Sequence, residues 1–193
     1  LEQKLGGGWQ VLNYGISGRT LQDEGDYPYT AEKFWKLTHE ISADVYIIML
    51  GTNDLKFTDA AGSAAGLRHL VRLVLTANER FSLSYPVFPN GPEILLVSPV
   101  SVKGTFFPES DSGTLTAEDE VTQSAVREQI QSRKLSLLYR EIAEEEGLYF
   151  LDAAAFAEPS KVYGIHLGPE GHAALGKAIA EAVREISAIQ TGK

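Results

Sequence analysis

The sequence predicts an α/β fold built on a mostly parallel sheet. Strand-like and helix-like segments alternate along the chain, the pattern of βα units. Val45 to Leu50 is a continuous apolar run of the kind that helices cover on both faces of a sheet. Turn-rich segments follow the predicted strands, where the functional loops of open α/β sheets collect.

The elements follow in order. Val11 to Tyr14 reads as a short strand running into the turn Gly15-Ile16-Ser17-Gly18. Ala31 to Ile41 carries Phe34, Trp35 and Leu37 at roughly helical spacing. Asp44 to Leu50 is the buried strand, and Asp59 to Ala77 is a helix with Leu67, Leu70, Val71 and Val74 on one stripe. Glu93 to Val97 is the next strand, stopped by Ser98-Pro99. Residues 101 to 120 read as a loop containing Gly104, Pro108, Gly113 and the pair Phe106-Phe107. Glu118 to Glu146 is mostly helical and ends at Gly147, a capping signal. Leu148 to Leu151 is a short strand, and Pro169 to Ile186 is the last helix, with proline in its first turn and Leu175, Ile179, Ala182, Val183 and Ile186 on its apolar stripe.

Composition bounds the function. A chain of 193 residues with 44% hydrophobic and 22% charged residues fits a single globular domain. The net charge of −9 disfavours phosphate backbones and anionic lipid, so no nucleic-acid partner is expected. No apolar run reaches the roughly 18 residues of a membrane span, so stable membrane insertion is not expected either. The absence of cysteine excludes disulfides, zinc–thiolate sites and a cysteine nucleophile. It is compatible with a reducing compartment, and a cytoplasmic location is expected, with secretion left open. The four histidines show no metal-binding spacing, and neither a P-loop nor a GxGxxG follows a strand. No metal or cofactor is implied.

Three segments carry chemistry. Gly51-Thr52-Asn53-Asp54 directly follows the buried strand. An uncharged amide there can donate into a cleft, as an oxyanion hole requires, although the same residues also make ordinary turns. In Asn13 to Thr20, glycines at a strand exit let the backbone approach a ligand and aim its N–H groups, or simply form a tight turn. Ser17 sits in G-I-S-G, one residue short of the G-x-S-x-G nucleophile elbow, and is not assigned as a nucleophile. Gly164-Ile165-His166-Leu167-Gly168-Pro169 sets a histidine just ahead of the last helix, where a neutral imidazole can serve a serine as general base or merely cap the helix. His172, His39 and His69 fall in helical stretches and receive no chemical role.

Together these segments resemble the SGNH (GDSL-type) hydrolases, in the arylesterase and lysophospholipase-like branch. VYIIMLGTND is similar to that family's third block, which implies that Asn53 is an oxyanion donor. NYGISGRT is similar to the second block, which implies a donating backbone N–H at Gly18. YGIHLGPEGHAALG is similar to the last block, which implies that His166 is the catalytic base. The likeness runs through essentially all of the sequence and implies a three-layer, flavodoxin-like sandwich. The expected activity is hydrolysis of a small-molecule carboxylic ester. Arg19 and Thr20 are expected to line the substrate pocket, and the Ser101–Glu120 loop with Phe106 and Phe107 is expected to cover the acyl group.

The sequence departs from the family twice. No G-D-S occurs, so the nucleophilic serine is expected upstream of Leu1. The fold should then lack its first, interior strand, leaving an exposed edge that also allows a homo-oligomer. The acid position three residues before His166 is Tyr163, which stays neutral near pH 7. Losing such a carboxylate cost roughly 10⁴ in turnover in an unrelated serine protease. Asp152 and Glu158 are the nearest carboxylates upstream, Asp152 with an expected structural role at its strand end. A catalytically impaired or non-catalytic binding member of the same fold is the alternative function.

Overall fold

The computed structural model describes residues 1–23, 27–38, 42–80, 88, 91, 93–103, 120–161 and 164–191. Among these residues the sheet has three parallel strands in the order β1 (Val45–Ile48), β2 (Glu93–Ser98), β3 (Tyr149–Asp152). The helices are α1 (Glu2–Leu5), α2 (Lys33–Leu37), α3 (Ala60–Leu75), α4 (Ala77–Arg80), α5 (Glu120–Glu146) and α6 (Pro169–Thr191).

Alternation along the strands explains the layers. Ile48, Ile94 and Leu96 point to one face, where they pack with Leu67, Leu70, Val71 and Val74 of α3 and with Leu135, Tyr139 and Ile142 of α5. Leu95, Val97 and Leu151 point to the other, where they meet Leu175, Ala178, Val183 and Ile186 of α6 and Leu5 of α1. Two cores on opposite faces of one sheet make the predicted three-layer α/β sandwich. The apolar stripes read from the sequence in α3 and α6 are the ones that pack.

Local chemistry sets the helix ends. The Asp59 side chain accepts from Gly62 N at 2.9 Å and caps α3. α5 closes at Gly147, whose φ is 68°. Between Ala31 and Ile41 the helix is shorter than expected: a 3₁₀ turn at Tyr29–Ala31 precedes α2, and residues 39–41 lie outside the described set.

The strand expected at Val11–Tyr14 does not form; residues 11–16 have no regular secondary structure. Asn13 Oδ1 accepts from Gly15 N at 3.0 Å, a local bond that competes with ladder pairing. The segment is held through side chains and a carbonyl instead. Val11 packs on the α6 core, the Tyr14 ring lies 6.0 Å from Phe34, and the Tyr14 carbonyl accepts from the Tyr29 hydroxyl. Among the described residues, β1 is an edge of the sheet. Val45, Tyr46 and Ile47 are only half-buried, whereas Ile94 to Val97 of central β2 are 0–1% exposed.

The central strand should therefore dominate stability. Leu96→Ala is expected to lower the unfolding free energy by about 2–5 kcal/mol, and Leu137→Ala, on the outer face of α5, to change it by less than about 0.5 kcal/mol. Urea denaturation of the two variants measures both.

Candidate active site

β1 delivers the chain into Gly51, which is buried and has a φ of 117°. A 3₁₀ turn, Asn53–Lys56, follows at once. The turn separates the two acidic and amide side chains. Asn53 is half-buried, and its Nδ2 donates to the Arg19 carbonyl at 3.2 Å. An amide nitrogen carries two N–H groups, and the second has no partner among the described residues. Asp54 points the other way, is fully buried, and accepts from Leu21 N at 3.0 and 3.1 Å and from Gln22 N at 2.9 Å.

Asn53 and Asp54 thus hold the Gly15–Gln22 loop by two successive stretches of backbone. Gly18, with a φ of 80°, lies one residue from the carbonyl that Asn53 grips. The two predicted oxyanion donors are therefore brought together. Thr20 fastens the loop from behind: its N–H donates to the Tyr27 carbonyl at 3.1 Å, and its carbonyl accepts from Tyr29 N at 2.9 Å. Gly66 of α3 makes room for this packing, since a Cβ there would stand 2.9 Å from Leu21 Cβ.

Burial pushes the Asp54 carboxyl above its ordinary value of 3.8, and the N–H groups of Leu21 and Gln22 oppose that rise. Sequence reasoning assigned Asp54 no role. The signal was present in the tetrapeptide, but its partners lie more than thirty positions away in the chain.

The predicted pocket residues are largely engaged within the protein. Arg19 Nε lies 2.6 Å from Glu32 Oε1, its guanidinium sits 5.0 Å from the Tyr27 ring centroid, and Nη1 donates to the Ser17 carbonyl. Thr20 is 1% exposed, and its hydroxyl donates to the Gln22 carbonyl at 3.0 Å. Both side chains shape the loop that carries Gly18. Phe106, Phe107 and Tyr163 lie outside the described residues, as does His39.

His166 lies beyond β3, in a loop closed by an antiparallel bridge between Pro159 and Leu167. Its carbonyl accepts from Ser160 N at 2.7 Å, and Gly164 N donates to the Ser160 carbonyl. Lys103 N, in the segment after β2, donates to the Gly164 carbonyl at 2.7 Å, so the histidine loop is tied to the neighbouring strand exit. The imidazole is exposed, as are His69 on α3 and His172 on α6. β1 and β3 both run parallel to β2, so the Asn53 turn and the His166 loop leave the sheet at the same end. Two strand spacings, about 10 Å, separate the exits.

Neither upstream carboxylate reaches His166. Asp152 accepts from Ser98 Oγ at 3.0 Å, Ser136 Oγ at 2.7 Å and Ala154 N at 3.0 Å, the structural role expected of it. Glu158 is exposed and pairs with Lys103 Nζ at 2.9 Å, whose hydrogen bond and charge hold its carboxyl below the usual range. Among the described residues, no group of three or more histidine or carboxylate side chains gathers to hold a metal ion. None of the helices there is long and apolar enough to cross a membrane.

A parallel sandwich with a backbone-tethered amide and a histidine loop at one end of the sheet is the architecture of an SGNH hydrolase. Residues 1–174 match the model of the GDSL-like Lipase/Acylhydrolase family, and the chain belongs to that family. It is 28% identical over 199 residues to an acetylxylan esterase of Xylanibacter ruminicola, a match covering 95% of this chain and 38% of that protein. The chain therefore spans well under half the length of this curated relative. The aryl esterase of M. smegmatis superposes with a TM-score of 0.78 at 26% identity, covering 96% of this chain and 82% of its own. Est24, a carbohydrate acetylesterase from Sinorhizobium meliloti, gives 0.76 at 26% identity, with the same coverage.

Removing the Asp54 carboxylate should free the loop. Asp54→Ala orphans two backbone N–H groups and is expected to cost about 2–3 kcal/mol at pH 7. Amide exchange should accelerate at Leu21 and Gln22 beyond the global change. The pH dependence has a definite sign. With its folded value raised, Asp54 binds more proton in the folded than in the unfolded chain between 3.8 and that raised value. The wild-type margin over Asp54→Ala therefore narrows as pH rises through this window and is level above it. Denaturation of both proteins across the acid range measures it.

Proposed function

We propose that this chain carries the oxyanion donors and the general base of a serine esterase acting on carboxylic esters. The observation that supports it best is the locked pair at the end of β1, where the Asn53 amide is fixed against the Arg19 carbonyl, one residue from Gly18. A donor held before the reaction begins needs no reorganisation when charge develops on the carbonyl oxygen.

The steps follow from the groups available. A serine in a segment preceding Leu1 attacks the ester carbonyl and forms the new C–O bond, while its proton passes to His166. The oxyanion is met by Asn53 Nδ2 and the Gly18 N–H. As the tetrahedral species collapses, the ester C–O bond breaks and the leaving alcohol takes the proton from His166. Water then attacks the acyl-enzyme, gives a proton to His166, and releases the carboxylic acid as the serine recovers its proton. The relatives that are named esterases of acetylated xylan, of carbohydrate acetates and of aryl esters make short acyl esters the substrate class to test first.

An extended chain with its upstream segment should hydrolyse p-nitrophenyl acetate, and p-nitrophenyl butyrate more slowly. Asn53→Ala is expected to lower kcat by about 10²–10³, and His166→Ala to reduce it to the level of the serine-to-alanine control. Tyr163→Asp, which puts a carboxylate three residues before His166 in the sequence, should raise turnover. Wild-type turnover no greater than that of the serine control would reject the esterase reading in favour of a non-catalytic binding protein.

A further inference from the structure

The turn that presents Asn53 is held from below by a side chain on a distant helix. Tyr139 of α5 is 1% exposed. Its hydroxyl donates to the Leu50 carbonyl at 3.0 Å, eighty-nine positions away. A phenol has one proton to give, so the 3.1 Å contact with Ser63 Oγ of α3 is a bond that the serine donates. Ser63 is itself fully buried. Two helices and the end of β1 therefore meet at one oxygen atom.

That oxygen also selects the residue that follows. A Cβ on Gly51 would run into the Tyr139 hydroxyl and would stand 2.9 Å from Ser63 Oγ. With a φ of 117°, Gly51 turns through the space the hydroxyl leaves, and Thr52 and Asn53 start from there. Burial pushes the phenol's ionisation upward, so it remains a donor across the working pH range of an esterase.

We propose that Tyr139, supported by Ser63, is a positioning residue for the Asn53 donor: its bond to the Leu50 carbonyl fixes where the Gly51–Asp54 turn begins. The proposal rests on the esterase reading for its catalytic consequence and on geometry alone for its structural one. Losing the bond leaves the Leu50 carbonyl without this donor. The start of the turn then gains freedom, and Asn53 spends less time where the oxyanion forms. Substrate binding in the ground state does not use this donor fully, so the loss falls on kcat rather than on KM.

The test compares Tyr139→Phe and Ser63→Ala in the extended chain with Ile142→Val, a core change on the same helix that leaves the hydroxyl network intact. Turnover of p-nitrophenyl acetate is measured alongside thermal midpoints and the side-chain amide signals of Asn53, assigned by their loss in Asn53→Ala. Tyr139→Phe is expected to lower kcat about tenfold, a fraction of what deleting a donor costs, with KM changed less than about twofold. The Asn53 amide signals should move or broaden. Ile142→Val should lower the thermal midpoint and leave both kcat and those signals in place. Unchanged kcat and unmoved Asn53 signals in Tyr139→Phe would overturn the proposal, as would an equal loss of kcat in Ile142→Val. Should Tyr139→Phe fail to fold, Ser63→Ala decides, with the same signature expected at about threefold. If the wild type has no ester turnover, the esterase reading falls, and the Asn53 signals still decide whether Tyr139 positions the turn.

Discussion

The candidate site depends on how the chain leaves β1. At that point the backbone passes against a fully buried phenol oxygen with a positive φ, and only a residue without a Cβ fits. Beyond Thr52 two adjacent side chains separate, Asn53 toward the Arg19 carbonyl and Asp54 toward the N–H groups of Leu21 and Gln22. A carboxylate with no exposure carries a large desolvation cost, and the N–H groups that it accepts from offset part of it. What results is a rigid link between two loops that follow distant parts of the chain. Electrostatic catalysis needs such rigidity, because donors aimed in advance do not reorient during the reaction.

The sequence made most of the layers legible. Strand β1 appeared as a continuous apolar run because both of its faces are covered, β2 and β3 as short strands, and α3 and α6 declared their buried stripes by spacing. Val11–Tyr14 has the composition of a strand but not the pairing. A strand is a two-body structure, and Asn13 offered the backbone a local hydrogen bond instead. The Gly51–Asp54 and Gly164–Pro169 segments were legible as candidate sites because each follows a strand end or precedes a helix. Tyr139 was not. In Leu137-Leu138-Tyr139 it looks like one more apolar position on a helix, and nothing local reveals that its hydroxyl meets Leu50. Asp54 was visible as a residue and invisible as a clamp, for the same reason: its bonds are long-range.

The two halves of the site differ in kind. The Asn53 half is internally wired, with Thr20, Arg19, Asp54 and Tyr139 all holding backbone or one another. In the His166 half, backbone bonds of Ser160, Gly164 and Lys103 fix the loop's course, and the imidazole stands exposed. Charge in this half is already committed, Glu158 to Lys103 and Asp152 to two serines and a backbone N–H. The His166 side chain is exposed, whereas the Asn53 amide is tethered to a backbone carbonyl.

Asp152 and Asp54 nonetheless share one design. Asp152 ends β3 and Asp54 lies just beyond β1, and each has its carboxylate oxygens filled by donors from elsewhere in the fold. Asp54 ties the β1 exit to the Gly18 loop. Asp152 ties the β3 exit to β2 through Ser98 and to α5 through Ser136, while its bond from Ala154 N turns the chain into the 3₁₀ segment Ala153–Ala155. Helix α5 thus touches both exits, Tyr139 at β1 and Ser136 at β3, three residues apart on one face. A shift of that helix along its axis would move both loop origins together. One helix behind the sheet thus contacts the chain at the exits of both β1 and β3.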